Sequence, residues 1–287
     1  MQISGTTRML GLIGAPVAHS KSPAMYNYCF QKFGLDWAYL AFDVPLEQTE
    51  QAIQAIRTLN LRGANVTMPS KTAVLPYLDE LTPAAKAIQA VNTIVNENGK
   101  LVGHNTDGCG YTQNLRRNGV EVAGKKLVLM GGGGVASAIA AQAALEGAAE
   151  IAVFNLRDPF WPRMEQLLER IAVAAPSCAI SLHDLEDRAD LKAAIDQCDI
   201  LSNATPVGME PQVERSNLPE TQWLRPDLVV TDVVYSPAET KLLRDAKAAG
   251  CRTCDGLGML LCQGAEAFRL YSGLEMPVEE IRALLYQ

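Results

Sequence analysis

The chain has 287 residues, which is enough for about two domains. Hydrophobic residues make up 48% of it and charged residues 20%, proportions that exclude a disordered, a collagen-like and a disulfide-stabilised miniature protein. The net charge is −7, from 25 basic and 32 acidic residues, so nucleic acids and anionic membranes are not expected partners.

Strands and helices alternate through the first 118 residues. Ser22-Pro23 is typical of a helix N-cap followed by proline at the first helical position. Asn98-Gly99 predicts a hairpin turn. The predicted strands are 10–14, 37–42, 63–66, 93–95 and 101–103, and the predicted helices are 22–33, 47–59, 83–90 and 107–118.

The same alternation continues to the last residues and predicts parallel sheets. Residues 127–145 carry no charge and approach the length of a membrane span, but four consecutive glycines and many small residues favour a strand, a turn and a helix. The predicted strands are 126–130, 151–155, 200–203, 228–234 and 252–254, and the predicted helices are 135–146, 161–174, 191–197, 241–249, 259–271 and 278–285.

The cysteines number seven and are scattered along the chain, a pattern typical of free thiols in a reducing compartment. We therefore expect a cytoplasmic location. Cys251 and Cys254 form a CxxC, but no histidine and no second CxxC lies near them in sequence. We interpret them as small buried hydrophobic residues, and we expect no metal site.

A glycine-rich turn follows the first strand of the second half. Gly131, Gly133 and Ala136 match G-x-G-x-x-A between a strand and a helix, the context in which this pattern binds a dinucleotide. After the next strand, Asp158 has about the spacing of an acid that binds the adenosine ribose, whereas Arg157 suits a 2′-phosphate. Asp158 also fits the N-cap of the following helix, so both interpretations stay open.

Three polar clusters follow predicted strands of the first half. Ligands of open α/β sheets bind beyond the carboxyl ends of strands, and hydroxyls, amides and a Lys–Asp pair suit a small polyhydroxylated acid. Taken singly, each residue also has an ordinary explanation as a cap, a turn former or a solvated charge. The clusters are His19-Ser20-Lys21-Ser22-Pro23, Asn65-Val-Thr67-Met-Pro69-Ser-Lys71, and Asn92-Thr93 with Asn105-Thr106-Asp107.

These clusters belong to an ordered series of motifs: Gly14-Ala-Pro16-x-x-His19-Ser20-x-Ser22-Pro23, Asn65-Val-Thr67-x-Pro69-x-Lys71, Ala90-Val-Asn92-Thr93, Asn105-Thr106-Asp107-x-x-Gly110, Gly131 to Ala136, Asn203-Ala-Thr205-Pro-Val-Gly208-Met209, Tyr235-x-Pro237-x-x-Thr240 and Asp255-Gly256-x-Gly258-Met259-x-x-x-Gln263. The series resembles the shikimate dehydrogenase family over almost the whole chain, and together the motifs are far more specific than any one of them. Stretches 79–86 and 240–243 are most similar to the quinate/shikimate dehydrogenase branch.

The resemblance implies an α/β fold with two α/β domains and a cleft between them. Residues 1–108 plus 257–287 would form a substrate-binding, catalytic domain with an open sheet, and residues 109–256 a Rossmann domain for NAD(P). The implied reaction interconverts shikimate and 3-dehydroshikimate, with quinate and 3-dehydroquinate as a second pair, by hydride transfer. The expected partner is this small-molecule substrate, and the expected assembly is a monomer or a homodimer.

In the same resemblance, Lys71 is the acid–base group and Asp107 lies beside it, and both bind substrate. How the two share the proton transfer stays open. The other implied substrate-binding residues are Ser20 and Ser22 for a carboxylate, Asn65, Thr67, Asn92 and Gln263 for ring hydroxyls, and Tyr235 near the nicotinamide. The implied cofactor-binding residues are Gly131, Gly132, Gly133, Gly134, Val135, Asn155, Arg157, Asp158, Asn203, Thr205, Val233, Tyr235, Gly256 and Met259.

Three positions depart from the family pattern. Leu156 stands where many members carry an arginine that clamps the 2′-phosphate of NADP, so we predict that NAD is accepted and preferred, with NADP as the alternative. Tyr26 stands at a common histidine position, where it either fills the core or reshapes the pocket floor. Thr67 stands where the quinate-accepting branch can carry serine, and its methyl is expected to bias the enzyme against quinate by ~1–3 kcal/mol.

Two other functions stay open. One is a non-catalytic sensor of the metabolite or of NAD, because a retained fold does not guarantee retained chemistry. Lys71, Asp107 and Gln263 argue against it, since a binding module needs no proton-transfer group. The other is a dehydrogenase of a related amino- or hydroxy-cyclohexane acid.

Overall fold

The structure is a computed structural model that describes residues 3–285. These residues divide into two compact units, one formed by 3–106 with 263–285 and the other by 107–262. Each unit contains one six-stranded sheet.

The sheet of the first unit combines parallel strands with one antiparallel hairpin. Its strands are β1 (Arg8–Gly14), β2 (Trp37–Asp43), β3 (Gly63–Val66), β4 (Glu80–Leu81), β5 (Thr93–Glu97) and β6 (Lys100–His104), in the spatial order β2-β1-β3-β5-β6-β4. β5 runs antiparallel to β3 and β6. Asn98 and Gly99 both have positive φ, as a two-residue hairpin turn requires. The predicted hairpin is confirmed, and its pairing with β3 makes a mixed sheet of the otherwise parallel arrangement.

The helices of the chain are α1 (Ser22–Lys32), α2 (Thr49–Thr58), α3 (Pro83–Ile88), α4 (Asp107–Arg117), α5 (Gly134–Leu145), α6 (Trp161–Ala174), α7 (Arg188–Gln197), α8 (Lys241–Ala248), α9 (Gly256–Ser272) and α10 (Val278–Leu285). Helix α9 begins in the second unit and ends in the first. The predicted N-cap at Ser22 is wrong by one residue, because Lys21 precedes α1 and Ser22 is its first residue.

Two groups of buried side chains hold the first unit together. Ile13, Ile53 and Ile94 belong to an aliphatic cluster that joins β1, α2 and β5. Aromatic side chains join α1, β2 and α9, and in this group the Tyr26 ring stacks on Tyr39 at 4.5 Å between centroids. Burial of this apolar area is the main stabilising term for such a unit.

The second unit has the strand order of a Rossmann fold. Its strands are β7 (Lys126–Met130), β8 (Glu150–Asn155), β9 (Ala179–Asp184), β10 (Ile200–Asn203), β11 (Val229–Asp232) and β12 (Arg252–Cys254), in the spatial order β12-β11-β10-β7-β8-β9. All neighbours are parallel, which is the doubly wound arrangement 3-2-1-4-5-6. The edge strand β9 was not predicted, because its half-buried Ser181 and His183 break the apolar pattern of a central strand.

The uncharged stretch 127–145 forms most of β7, a turn and the whole of α5, as predicted. Small residues on α5 permit close packing, and a Cβ added to Gly108 of α4 would lie 2.4 Å from the carbonyl oxygen of Ala138. Among residues 3–285, no helix is both long and apolar enough to cross a membrane.

The cysteines form no disulfide in the part of the chain that the structure describes. Cys251 and Cys254 are both buried beside or on β12, and burial raises the pKa of Cys254 to about 12. Their environment therefore supports the interpretation as packing residues. Within residues 3–285 no three His, Cys, Asp or Glu side chains are grouped as a metal site.

Candidate active site

Asn65 lies on β3 near its carboxyl end, and its side chain is buried. The hydroxyl of Tyr39 donates a hydrogen bond to Oδ1 of Asn65 at 2.8 Å. Nδ2 of Asn65 donates to the hydroxyl of Thr93 at 3.1 Å. Because a buried amide needs a partner at each end, these bonds hold the Asn65 side chain in one orientation.

Asn92 and Gln263 are linked to the same network through two threonines. Oδ1 of Asn92 accepts bonds from the backbone N–H of Thr106 at 2.8 Å and from the hydroxyl of Thr93 at 3.0 Å. The hydroxyl of Thr106 donates to Oε1 of Gln263 at 3.4 Å. The structure thus brings together three predicted substrate residues, Asn65, Asn92 and Gln263. Thr93 and Thr106, which link them, were not among the predicted site residues.

Two stacked and buried tyrosines, Tyr26 and Tyr39, lie beside this network. Burial raises the pKa of Tyr39 well above its ordinary value, and a hydrogen bond with Ser22 acts in the opposite direction. The hydroxyl of Tyr26 donates to the carbonyl of Gly264 at 3.1 Å, next to Gln263. Tyr26 therefore fills the core and also ties α1 to the segment of α9 that carries Gln263.

The other predicted substrate residues of this unit lie in the loops after β1 and β3 or at the start of α1. The backbone N–H of Ser22 donates to Oγ of Ser20 at 3.2 Å. The methyl of Thr67 packs so closely on Gly14 that a Cβ added to the glycine would lie 2.4 Å from it. The carbonyl of Lys71 accepts a backbone hydrogen bond at 2.8 Å from the segment that precedes β5, so the loop carrying Lys71 is fixed to the sheet.

Asp107 and Tyr235 belong to the second unit. Asp107 is the first residue of α4, where the helix dipole favours a carboxylate. Tyr235 follows β11, and 51% of its surface is exposed. The predicted pairing of Asp107 with Lys71 and the predicted cleft between the domains stay predictions.

The glycine turn after β7 has the geometry of a phosphate-binding loop. Gly131 adopts φ +122°, which favours glycine, and a Cβ on Gly132 would lie 2.6 Å from the side chain of Asn155. By contrast, a Cβ on Gly133 or Gly134 would have no atom within 4 Å. The N-terminus of α5, which begins at Gly134 with Val135 in its first turn, thus opens onto empty space, as an anion site needs.

The segment after β8 holds the residues predicted at the adenosine ribose. Oδ1 of Asp158 accepts bonds from Nδ2 of Asn155 at 3.0 Å and from the N–H of Phe160 at 2.8 Å. The N-cap of α6 is Phe160, so the interpretation of Asp158 as the N-cap is wrong. Asp158 nevertheless orders the turn that precedes this helix. Nε of Arg157 donates to Asp184 on β9 at 2.9 Å.

Asn203 connects the ends of β10 and β11. Its Nδ2 donates to Oδ1 of Asp232 at 2.9 Å, and its Oδ1 accepts from the hydroxyl of Thr205 at 2.7 Å. The hydroxyl of Thr240 donates to Oδ2 of Asp232 at 2.7 Å. Burial raises the pKa of Asp232 to about 6. Asn203 and Thr205 therefore order this loop. Asp232 belongs to the same hydrogen-bonded group, although the sequence analysis did not identify it. Contact of Asn203 and Thr205 with a cofactor stays a prediction.

The remaining predicted cofactor residues follow β11 or begin α9. The N–H of Val233 donates to the carbonyl of Asn203 at 3.0 Å. A Cβ on Gly256 would lie 2.4 Å from the carbonyl oxygen of Val234, so glycine lets α9 start close to the chain after β11. Met259 is buried in α9.

Comparison with known proteins identifies the relatives of this chain. The family model of the shikimate dehydrogenase substrate-binding domain matches residues 12–94, and that of the shikimate 5′-dehydrogenase C-terminal domain matches residues 256–286. The shikimate dehydrogenase (NADP(+)) of Listeria innocua is 46% identical over 285 residues, which cover 99% of this chain and 98% of that protein.

Solved structures agree with this assignment. Shikimate 5-dehydrogenase from Listeria monocytogenes, in complex with shikimate and NAD, has a TM-score of 0.97 and 46% identity, covering 100% of this chain and 99% of that one. Quinate dehydrogenase from Corynebacterium glutamicum, in complex with NAD, has a TM-score of 0.85 and 32% identity, covering 96% of this chain and 98% of that one. Since these similarities extend over both units, this chain belongs to the shikimate dehydrogenase family.

Proposed function

We propose that this protein catalyses the reversible, NAD(P)-dependent oxidation of shikimate to 3-dehydroshikimate. The observation that carries the proposal is the 46% identity, over the whole chain, to a relative whose structure holds shikimate and NAD. The buried network of Asn65, Asn92 and Gln263 supports it, because a few fixed polar groups orient a polyhydroxylated ring.

The chain's own residues divide the work of binding and proton transfer. Lys71 Nζ takes the proton of the reacting hydroxyl as the carbonyl forms, and returns it in the reverse direction. Asp107 assists this proton transfer, and Tyr235 binds the substrate near the nicotinamide. Ser20 and Ser22 bind the substrate carboxylate. The ring hydroxyls are bound by Asn65, Thr67, Asn92 and Gln263.

The described residues fit a dinucleotide. The open space beside Gly133 and Gly134 leaves room for a diphosphate, and the first turn of α5 supplies backbone N–H groups to it. When bound, the nicotinamide accepts or returns the hydride. We assign dinucleotide binding to the unit formed by residues 107–262 and most of the substrate binding to the other unit. A monomer or homodimer in the cytoplasm stays our prediction.

For the dinucleotide preference, we propose that NAD is favoured over NADP. Leu156 brings no charge to a 2′-phosphate, the carboxylate of Asp158 repels one, and Arg157 is already paired with Asp184. The name of the Listeria innocua relative specifies NADP(+), whereas the Listeria monocytogenes structure holds NAD. The names of the curated relatives thus lean toward NADP, against our proposal, and a direct comparison of the two dinucleotides decides the preference of this chain.

Quinate is a second candidate substrate, because a quinate dehydrogenase is similar over 96% of this chain. The methyl of Thr67 lies against Gly14, which restricts where the Thr67 hydroxyl points. Because the Thr67 hydroxyl is less free to rotate, we expect slower turnover of quinate, whose ring carries one more hydroxyl group than that of shikimate. Thr67→Ser should then raise the quinate-to-shikimate ratio of kcat/KM by up to about tenfold.

The test of the proposed function is the initial rate on shikimate and on quinate, each with NAD and with NADP. We expect the highest rate for shikimate with NAD and a lower rate for quinate. Turnover in none of the four mixtures would overturn the proposed reaction and favour a sensor. Turnover of shikimate with NADP alone would leave the reaction intact and overturn the proposed preference.

A further inference from the structure

The guanidinium of Arg157 is held by two neighbours of the second unit. Its Nε donates to Oδ2 of Asp184 at 2.9 Å. Its central carbon lies 4.5 Å from the centroid of the Trp161 ring, a cation–π distance. Arg157 is therefore placed by a carboxylate from β9 and a ring from α6, although 69% of its side chain is exposed.

Both of these neighbours are themselves fixed. Asp184 is the last residue of β9 and lies in register with Asn155, the last residue of β8. Its Oδ1 accepts the N–H of Glu186 at 3.0 Å, so the carboxylate has a defined direction. Nε1 of Trp161 donates to Glu165 at 2.9 Å. The arginine is the flexible member, and it takes the position that the carboxylate and the ring define.

The segment after β8 is where a Rossmann unit meets the adenosine ribose of its dinucleotide. In this segment Asp158, the residue after Arg157, contributes a second carboxylate, which accepts bonds from Asn155 and from the N–H of Phe160. With two acids to one base, Asp158, Asp184 and Arg157 together carry an excess of one formal negative charge. An unmodified ribose hydroxyl tolerates that charge, whereas a 2′-phosphate, with a charge near −2, is repelled by it.

We propose that Asp184 is a specificity-determining residue that disfavours NADP by occupying Arg157 and cancelling its charge. The inference rests on the proposed function, since it assigns a role at the same dinucleotide site. Leu156 and Asp158 alone do not explain the preference, because an unrestrained Arg157 beside them would still attract a 2′-phosphate. Asp184 lies 27 residues after Arg157, so only the pairing of β8 with β9 reveals it.

The first experiment compares Asp184→Asn with the wild-type enzyme in shikimate oxidation by NADP and by NAD. We expect the NADP-to-NAD ratio of kcat/KM to rise about tenfold, because a charge-assisted bond to phosphate becomes available. The value with NAD should change by less than about twofold. Asp196→Asn is the matched control, since it removes the acid of an exposed ion pair with Lys192 on α7; its ratio should stay at the wild-type value.

A double-mutant cycle shows whether the effect passes through Arg157. In an Arg157→Ala background, Asp184→Asn should leave the ratio unchanged. An equal rise in that background, or no rise in the single variant, would overturn the proposal. Arg157→Ala alone gives a second measurement that needs no change on β9. It should alter the ratio by less than about threefold, and a loss of NADP use beyond about tenfold would show an arginine that already binds the phosphate.

Binding measurements separate this inference from the proposed reaction. Titration calorimetry follows the binding of 2′,5′-ADP and of 5′-AMP without turnover. Asp184→Asn should tighten 2′,5′-ADP about tenfold and leave 5′-AMP within about twofold. If the wild-type enzyme oxidised no substrate but these affinities shifted as expected, the reaction would be wrong and the role of Asp184 would stand. Active enzyme with unchanged affinities would overturn the role of Asp184 alone.

Discussion

The hydroxyl of Tyr39 donates a hydrogen bond to Oδ1 of Asn65 at 2.8 Å, and through this bond a core residue of β2 determines how a polar residue of β3 is presented. The opposite end of the same amide donates to Thr93. If the amide were reversed, Oδ1 of Asn65 would face the carbonyl oxygen of Asn92, to which Nδ2 now donates, and two acceptors would meet. The tyrosine therefore positions the Asn65 side chain as well as packing in the core.

Tyr39→Phe should weaken substrate binding more than it slows turnover. Without the hydroxyl, Oδ1 of Asn65 loses a buried donor, which costs ~1–3 kcal/mol in stability and frees the amide to rotate. We expect the KM for shikimate to rise about fivefold to tenfold while the KM for NAD stays within about twofold. Steady-state kinetics with each substrate varied separately provide the measurement.

Tyr111→Phe is the matched control for that substitution. Tyr111 is a buried tyrosine of α4 whose hydroxyl is hydrogen-bonded to Ser202, far from the amide network in sequence. Loss of the Tyr111 hydroxyl should lower the free energy of unfolding by about as much as Tyr39→Phe does, and it should leave the KM for shikimate unchanged. Equal effects of the two substitutions on that KM would mean that Tyr39 acts only through stability.

Gly133→Ala should weaken dinucleotide binding without damaging the fold. A Cβ at this position meets no atom within 4 Å, so the folded chain accepts it, but the methyl then occupies the space needed by a diphosphate. We expect the dissociation constant of NAD to rise by about tenfold or more and the melting temperature to stay close to that of the wild type. Titration calorimetry and thermal unfolding provide the two readouts.

Two other glycines provide the contrast for Gly133. Gly5→Ala, which also adds a Cβ in open space, should change neither quantity. Gly132→Ala places its Cβ 2.6 Å from the Asn155 side chain and should lower stability by ~1–3 kcal/mol. Unimpaired NAD binding in Gly133→Ala would contradict the proposed diphosphate position.

Local spacing was enough to predict most of the helices and strands. The glycine turn, the hairpin at Asn98-Gly99 and the bounds of β3 and β7 follow from short-range patterns, so they could be found without a structure. The edge strand β9, the role of Tyr39 and the partner of Arg157 could not. Each depends on residues brought together by sheet pairing or core packing, and a half-buried polar strand or a core tyrosine has no distinctive local signal.

Lys71→Ala should abolish most turnover while dinucleotide binding survives. If Lys71 transfers the proton, its loss lowers kcat by about 100-fold or more, and the affinity for NAD, measured by calorimetry, changes by less than about twofold. Lys86→Ala removes an exposed lysine of α3 in the same unit and should leave kcat unchanged. A Lys71→Ala enzyme that retained most of its kcat would exclude this lysine as the acid–base group.

Asp232 should make the protein less stable as the pH rises from about 4 to about 6. Burial raises the pKa of this carboxyl from 3.8 to about 6, so the folded state holds the proton more tightly than the unfolded chain. Its contribution to stability is fully present below the unfolded pKa and is lost as the pH passes through the folded pKa, with a total of ~3 kcal/mol.

Asp232→Asn removes this titration, and its new amide can donate to the hydroxyl of Thr240 in place of the present acceptor bond. Urea unfolding of both proteins between pH 4 and pH 7 isolates the contribution, because the other titrating groups are common to both. The free energy of unfolding of the wild type, relative to that of the variant, should fall over this range and then level off, and a constant difference would show that Asp232 stays ionised in the folded protein.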